Sequence, residues 1–151
     1  LNKLEVFHKT LQKDFNIPYP RLAVMGLNPH SGDNGLYGRE DIDVIVPAIN
    51  EARAKDILVF GPFSADGFFG SASWLKFDGV LCMYHDQAMV PFKTLAVDGG
   101  VNFTAGLPVI RTAPDHGTGY DIANRNVADP NSFRHAIYLA IDILKNRTLE
   151  L

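Results

Sequence analysis

At 151 residues, 46% apolar and 21% charged, the chain has the balance of an ordinary globular protein, long enough for one domain that buries roughly two thirds of its unfolded surface. A formal net charge of −3 argues against a nucleic-acid partner, which selects a basic face, and no stretch has the length of a membrane-spanning helix. Cys82 is the single cysteine, so there is no disulfide framework and the chain suits a reducing cytosol.

The chain begins at Leu1 rather than methionine, which reads as a fragment or a processed chain, and Leu149-Glu150 read as a vector remnant. Residues 2 to 14 carry Asn2 and, three positions later, Glu5, a capping-box spacing, and then Leu4, Phe7 and Leu11 on one helical face. After Pro18 and Pro20, the run from Leu22 to Leu27 is apolar without alternation, the pattern of a strand covered on both faces. It leads into Asn28, Pro29 and His30. The following loop has Gly32, Gly35 and Gly38, which serve close approach to a ligand or a plain turn equally well.

Ile42, Ile45, Val46, Ile49 and Ala52 share a helical face in residues 40 to 54, with Pro47 predicting a kink or restart. Ile57 to Phe60 form a further short strand, and the loop GPFSADG after it brings Asp66 to the same sheet edge as His30. The apolar segment from Phe68 to Trp74 leads to the run of residues 80 to 84, another strand, which ends abruptly in His85, Asp86 and Gln87. Alternating strands and helices predict a single α/β domain over residues 1 to 151, a doubly wound, mostly parallel sheet whose ligands bind outside the strands' carboxyl ends.

Beyond His85, AMVPFKTLA reads as a proline-interrupted helix with Lys93 roughly two turns from the histidine. VNFTAGLPVIRT offers two short extended runs with Asn102 and Arg111 at their margins, and APDHGTGYDIANRNVADP a polar loop with a short helical turn. In the last helix Phe133, Ile137, Ala140, Ile141 and Leu144 share a face, and Asn131 or Ser132 can cap it. His8 and His135 fall in helical segments and read as surface residues.

His30 and His85 each follow a strand, and imidazole is a common ligand for zinc and similar ions; yet a catalytic zinc takes three protein ligands, so a third is missing or comes from another chain. Lys93, Asn102 and Arg111 suit a phosphate or carboxylate, or are solvated surface groups. Asp121 can accept from a ribose 2′-hydroxyl and repel a 2′-phosphate, which favours NAD, although no GxGxxG fingerprint occurs.

Read together and in order, GLNPHSG, GPFSAD, YHDQ, VNFTAGLPVIRT and DHGTGYDIA resemble the C-terminal half of the 4-hydroxythreonine-4-phosphate dehydrogenase (PdxA) family, over residues 3 to 146. The resemblance implies a fold similar to part of the isocitrate and isopropylmalate dehydrogenases. It implies a cytoplasmic, homodimeric oxidoreductase of pyridoxine and pyridoxal phosphate biosynthesis, in which three histidines bind one divalent ion (Zn, Mg or Co) at the dimer interface. His30 and His85 are then metal ligands, Asp66 a catalytic group beside the ion, Lys93, Asn102 and Arg111 contacts to a phosphorylated substrate, and His116 and Asp121 contacts to NAD. The implied reaction is oxidation of 4-phosphooxy-L-threonine by NAD and loss of carbon dioxide from the β-keto acid. Lacking the family's N-terminal half, the chain alone is expected to be inactive. Competing readings are a sister dehydrogenase for threonate or erythronate 4-phosphate, a metal-dependent aldolase or hydrolase, and a non-catalytic metal- or phosphate-binding module.

Overall fold

β1 (Leu22–Met25) is the centre of the first part of the fold, and its four residues are all buried. A computed structural model describes residues 1–96 and 99–148, so Leu149 and Glu150 lie outside the described residues. β1 pairs in parallel with β2 (Val59–Phe63) on one side and β3 (Gly79–Leu81) on the other, giving the sheet order β2-β1-β3. Leu22 stands between Val59 and Gly79, and Ala23 between Phe60 and Val80. Alternate residues of a strand face opposite sides. Leu22 and Val24 accordingly pack with Leu4 and Leu11 of α1 (Asn2–Lys13) and Ile49 and Ala52 of α2 (Val46–Arg53). Ala23 and Met25 pack on the other side with Phe68 of α3 (Ala65–Gly70), Phe63, Trp74 and Phe77. Helices thus cover both faces of a parallel sheet, an α/β architecture in which an unbroken apolar strand is required.

Local chemistry shifts several boundaries from their sequence expectations. Leu1, not Asn2, precedes the first helical residue of α1, and no side chain caps it. Glu5 instead meets Lys55 at 2.6 Å. Pro47 restarts the helix as predicted: a π turn over Asp41–Ile45 gives way to α2, whose first turn tolerates a residue without an N–H. β2 begins at Val59 rather than Ile57, because the Ile57 N–H is taken by the Ala52 carbonyl at 3.2 Å and closes the helix end. β3 stops at Leu81 because the Met83 N–H turns away to the Gln87 side chain at 2.8 Å. His85 is therefore the first residue of α4 (His85–Leu95), not a loop residue. Pro91 lies inside that helix without breaking it. The carbonyl of Gln87, which a residue with an N–H at position 91 would engage, instead accepts the Cys82 thiol at 3.7 Å.

The chain divides into two compact units, Leu1–Lys93 and Thr94–Leu151. The second holds an antiparallel pair, β4 (Val101–Phe103) and β5 (Thr112–Pro114), with Asn102 opposite Ala113, and α5 (Asn131–Thr148) packed against it. The Thr112 hydroxyl donates to the Ala136 carbonyl at 2.9 Å. On α5 the buried residues are Ala136 and Ile143, whereas Phe133, Ile137, Ile141 and Leu144 are exposed, so the expected face points the wrong way. The small Ala136 lets the helix backbone approach the hairpin closely, and α5 carries apolar residues around most of its circumference, which leaves periodicity unable to choose. The cap also differs: the Asp129 carboxylate accepts the Asn131 N–H at 2.9 Å, while the Ser132 hydroxyl accepts the Asp115 N–H at 3.1 Å. His135 is exposed, but His8 is half-buried, and its Nδ1 is enclosed without a hydrogen-bond partner, so burial holds its pKa below the usual imidazole value.

Candidate active-site edge

The three strands of the parallel sheet each deliver one expected polar residue just past their carboxyl ends: Asp66 after β2, His30 after β1 and His85 after β3. His30 follows the central strand, and the strands that precede Asp66 and His85 flank it in sheet order. All three are exposed. Asp66 lies in the first turn of α3, where the Ser64 hydroxyl donates to its carboxylate. That hydroxyl first, then the Gly67 N–H and the nearby His30 imidazole, hold the Asp66 carboxyl below the usual carboxylate range.

His30 sits in an unusual piece of backbone. His30, Ser31, Gly32, Asp33 and Asn34 all have positive φ, between 41° and 84°, a left-handed turn that glycine adopts freely and that asparagine, aspartate and histidine enter more readily than other residues. Two consecutive acids brace its entry. Asp41, 1% exposed, accepts the N–H groups of Leu27 at 2.9 Å and Asn28 at 3.1 Å, and Glu40 accepts the Asn28 side-chain amide at 2.7 Å. A Cβ on Gly26 would stand 2.9 Å from Asp41 Oδ1 and from Ser31 Oγ, so glycine is required there. Asp41 shares the buried helical face of Ile45, Ile49 and Ala52; an acid where spacing demands an apolar residue was the readable signal of this brace.

Gln87, also buried, joins the ends of two strands. Its Nε2 donates to the Gly26 carbonyl at 2.7 Å, while its Oε1 takes the Met83 N–H. Cys82, beside it in this region, has its thiol pushed up to about 11 by burial, which keeps it protonated at neutral pH and unsuited to nucleophilic work.

In the second unit, Asn102 is exposed within β4 rather than at its margin, and Arg111 directly precedes β5. The Arg111 guanidinium donates to the Thr104 hydroxyl at 2.8 Å, and since Asn102 and Thr104 are two apart on an extended chain, all three share one face of the hairpin. His116 is exposed, its Nδ1 donating to the Gly117 carbonyl at 2.8 Å, and Asp121 is exposed in the short turn Tyr120–Ile122. Lys93, on α4, is exposed and is the last residue of the first unit.

The imidazoles of His30 and His85 are the right donor type for a divalent transition ion. Among the described residues, no group of at least three His, Cys, Asp or Glu side chains is arranged to hold one, so the donors fit in kind and fall short in number. No helix among the described residues is long and apolar enough to cross a membrane.

Comparison with known proteins gives a consistent result. The family profile described as pyridoxal phosphate biosynthetic protein PdxA matches residues 1–140. A curated relative, the 4-hydroxythreonine-4-phosphate dehydrogenase of Bacteroides thetaiotaomicron, is 55% identical over 148 residues, 98% of this chain and 41% of the relative. The crystal structure of 4-hydroxythreonine-4-phosphate dehydrogenase from Klebsiella pneumoniae superimposes with a TM-score of 0.79 at 44% identity, covering 93% of this chain and 42% of that one. A terephthalate 1,2-cis-dihydrodiol dehydrogenase from Burkholderia xenovorans gives a TM-score of 0.69 at 34% identity, covering 90% and 43%. The chain thus spans less than half the length of each of these proteins.

Proposed function

The chain belongs to the family described as pyridoxal phosphate biosynthetic protein PdxA, and on that premise we propose that the full-length protein is an NAD- and divalent-metal-dependent dehydrogenase that oxidises 4-phosphooxy-L-threonine. The β-keto acid so formed then loses carbon dioxide. The observation that carries the reading is the position of His30, Asp66 and His85 just past the ends of three neighbouring parallel strands, within a chain 55% identical to a 4-hydroxythreonine-4-phosphate dehydrogenase.

In this reading His30 and His85 hold the ion (Zn, Mg or Co) with at least one ligand from outside this chain, and the braced turn that carries His30 is consistent with that role. The bound ion would supply polarisation of the substrate hydroxyl, whose pKa of about 15.7 lies roughly nine units above that of a free histidine, a gap of about 12 kcal/mol. Asp66, held ionised by Ser64 and Gly67, is a weak base at neutral pH and serves to accept a hydrogen bond and orient its donor. Arg111, fixed on Thr104, presents its remaining N–H groups with Asn102 to an anionic substrate group, and Lys93 adds a second cation. His116 and Asp121 take the adenosine of NAD, the Asp121 carboxylate accepting a ribose 2′-hydroxyl and repelling the 2′-phosphate of NADP. The reading includes a cytoplasmic homodimer with a shared site.

The test is NADH formation by the full-length protein from 4-phosphooxy-L-threonine, with and without chelator, beside His30→Ala and His85→Ala. Both variants should lose metal-dependent turnover, and Asp121→Ala should lose its preference for NAD over NADP. Full activity in either histidine variant rejects the metal assignment. The likeness to a dihydrodiol dehydrogenase supports one alternative, a sister dehydrogenase for another hydroxy acid such as threonate or erythronate 4-phosphate. Turnover of those compounds in preference to phosphooxythreonine would establish it.

A further inference from the structure

We infer that Gln87 is a positioning residue that sets the His30 and His85 segments in a fixed relation, so that the two imidazoles are preorganised for one ion; the inference rests on the metal reading above. Gly26 is where the three strand ends meet. Its N–H donates to the Phe63 carbonyl at the end of β2, at 2.8 Å, and its carbonyl accepts the Gln87 amide from beyond β3 at 2.7 Å. The Gln87 side-chain oxygen, Oε1, in turn takes the Met83 N–H at 2.8 Å. One unbroken line of hydrogen bonds therefore runs from the residue before Ser64, through the residue that opens the His30 segment, to the residues that precede His85.

The line has no slack. Gly26 and Gln87 are both buried, so neither water nor another side chain stands in for a lost partner. A Cβ on Gly26 would meet Asp41 and Ser31 at 2.9 Å, so no larger residue fits at this junction without a shift. Gln87 lies two residues after His85 in the same helix, so the side chain that fixes the end of β1 also fixes the first turn of α4. An amide is the side chain for this place because it donates to one backbone group and accepts from the other through a single planar unit. A carboxylate of the same length supplies the acceptor alone.

The experiment is titration of the full-length protein with Co²⁺, read by visible absorption, for wild type, His30→Ala, His85→Ala, Gln87→Leu and the His30→Ala/Gln87→Leu double variant, with circular dichroism as the check of fold. Gln87→Leu keeps volume and removes both hydrogen bonds. Its Co²⁺ affinity should fall about 10- to 100-fold, as for other groups that orient metal ligands indirectly, and its absorption band should change shape. Added to His30→Ala, it should cost little more, because the geometry it enforces no longer serves a pair. Equal losses with and without His30 would show a general structural role and overturn the inference. Wild-type affinity in Gln87→Leu, with both histidine variants weakened, would overturn it while leaving the metal reading intact. Absence of Co²⁺ binding by the wild type, or binding unaffected by either histidine variant, would overturn the metal reading and the inference with it. If Gln87→Leu does not fold, Gln87→Glu keeps the Met83 acceptor and removes the Gly26 donor, and the same outcomes decide.

Discussion

Replacing Asp41 by alanine removes the acceptor that holds the Leu27 and Asn28 N–H groups, the entry to the turn that carries His30. A hydrogen bond to a charged group contributes about 1.5 to 3 kcal/mol, so the pair amounts to about 3 to 6 kcal/mol. Leu27 is 39% exposed, so water reaches this loop and takes up part of the loss; removing a carboxylate that is itself 1% exposed also relieves its desolvation. Both corrections push toward the low end, and the expected cost is about 3 kcal/mol. Asp41→Asn keeps one acceptor and turns an NH₂ toward the other N–H, so it should cost about 2 kcal/mol rather than rescue the fold. Urea denaturation followed by fluorescence of Trp74, the single tryptophan and a member of the cluster around Met25 and Phe68, reports on this unit. With a slope of about 1 to 3 kcal/mol per molar, a loss of about 3 kcal/mol lowers the midpoint by about 1 to 3 M. Amide exchange at Leu27 and Asn28 should accelerate in parallel. A loss below about 0.5 kcal/mol with unchanged exchange at both amides would refute the bracing argument.

Ser31, at φ 53°, should accept glycine with no loss of stability, since relief of left-handed strain offsets the entropy of glycine, whereas valine should cost about 2 kcal/mol or more; equal thermal midpoints would reject the turn. On α5, Ile143→Ala should destabilise by about 2 to 5 kcal/mol and Ile141→Ala by under about 1 kcal/mol in denaturant titrations, and the reverse order would mean that the helix faces the hairpin differently. The Glu5 carboxyl lies below its usual value because Lys55 donates to it, so its contribution is present above the unfolded-state pKa and is lost as pH falls through the lowered folded value. Lys55→Met should therefore flatten the acid limb of a plot of thermal midpoint against pH, and an unaltered limb would show that the pair contributes nothing.

The sheet was legible because burial on both faces leaves one signature. Leu22 to Met25 are apolar without alternation, and no helix of their length could bury all four. The ends were less legible, since they depend on individual side-chain hydrogen bonds that hydrophobic pattern does not report: β3 stops where Gln87, four residues on, claims the Met83 N–H. On α5, hydrophobic spacing identified the helix and misdirected its orientation, because Phe133, Ile137 and Ile141 repeat as regularly as Ala136 and Ile143 do. The residues singled out past the strands, His30, Asp66 and His85, do lie at one sheet edge, as the topology of parallel sheets requires. Asp41 and Gln87 escaped notice as partners because neither looks like chemistry; their weight comes from burial, which composition alone does not report.

The left-handed turn at His30–Asn34 also acts as a sieve on variation. At those φ values a β-branched or bulky aromatic side chain is penalised whatever its polarity, while glycine, asparagine and aspartate pass almost freely. Gly32, Asp33 and Asn34 fill three of the five positions and histidine also enters this region more readily than most residues, which leaves Ser31 as the residue kept there against backbone preference. Variation at this turn is therefore restricted to a short set of side chains on backbone grounds alone, before any demand of chemistry is added.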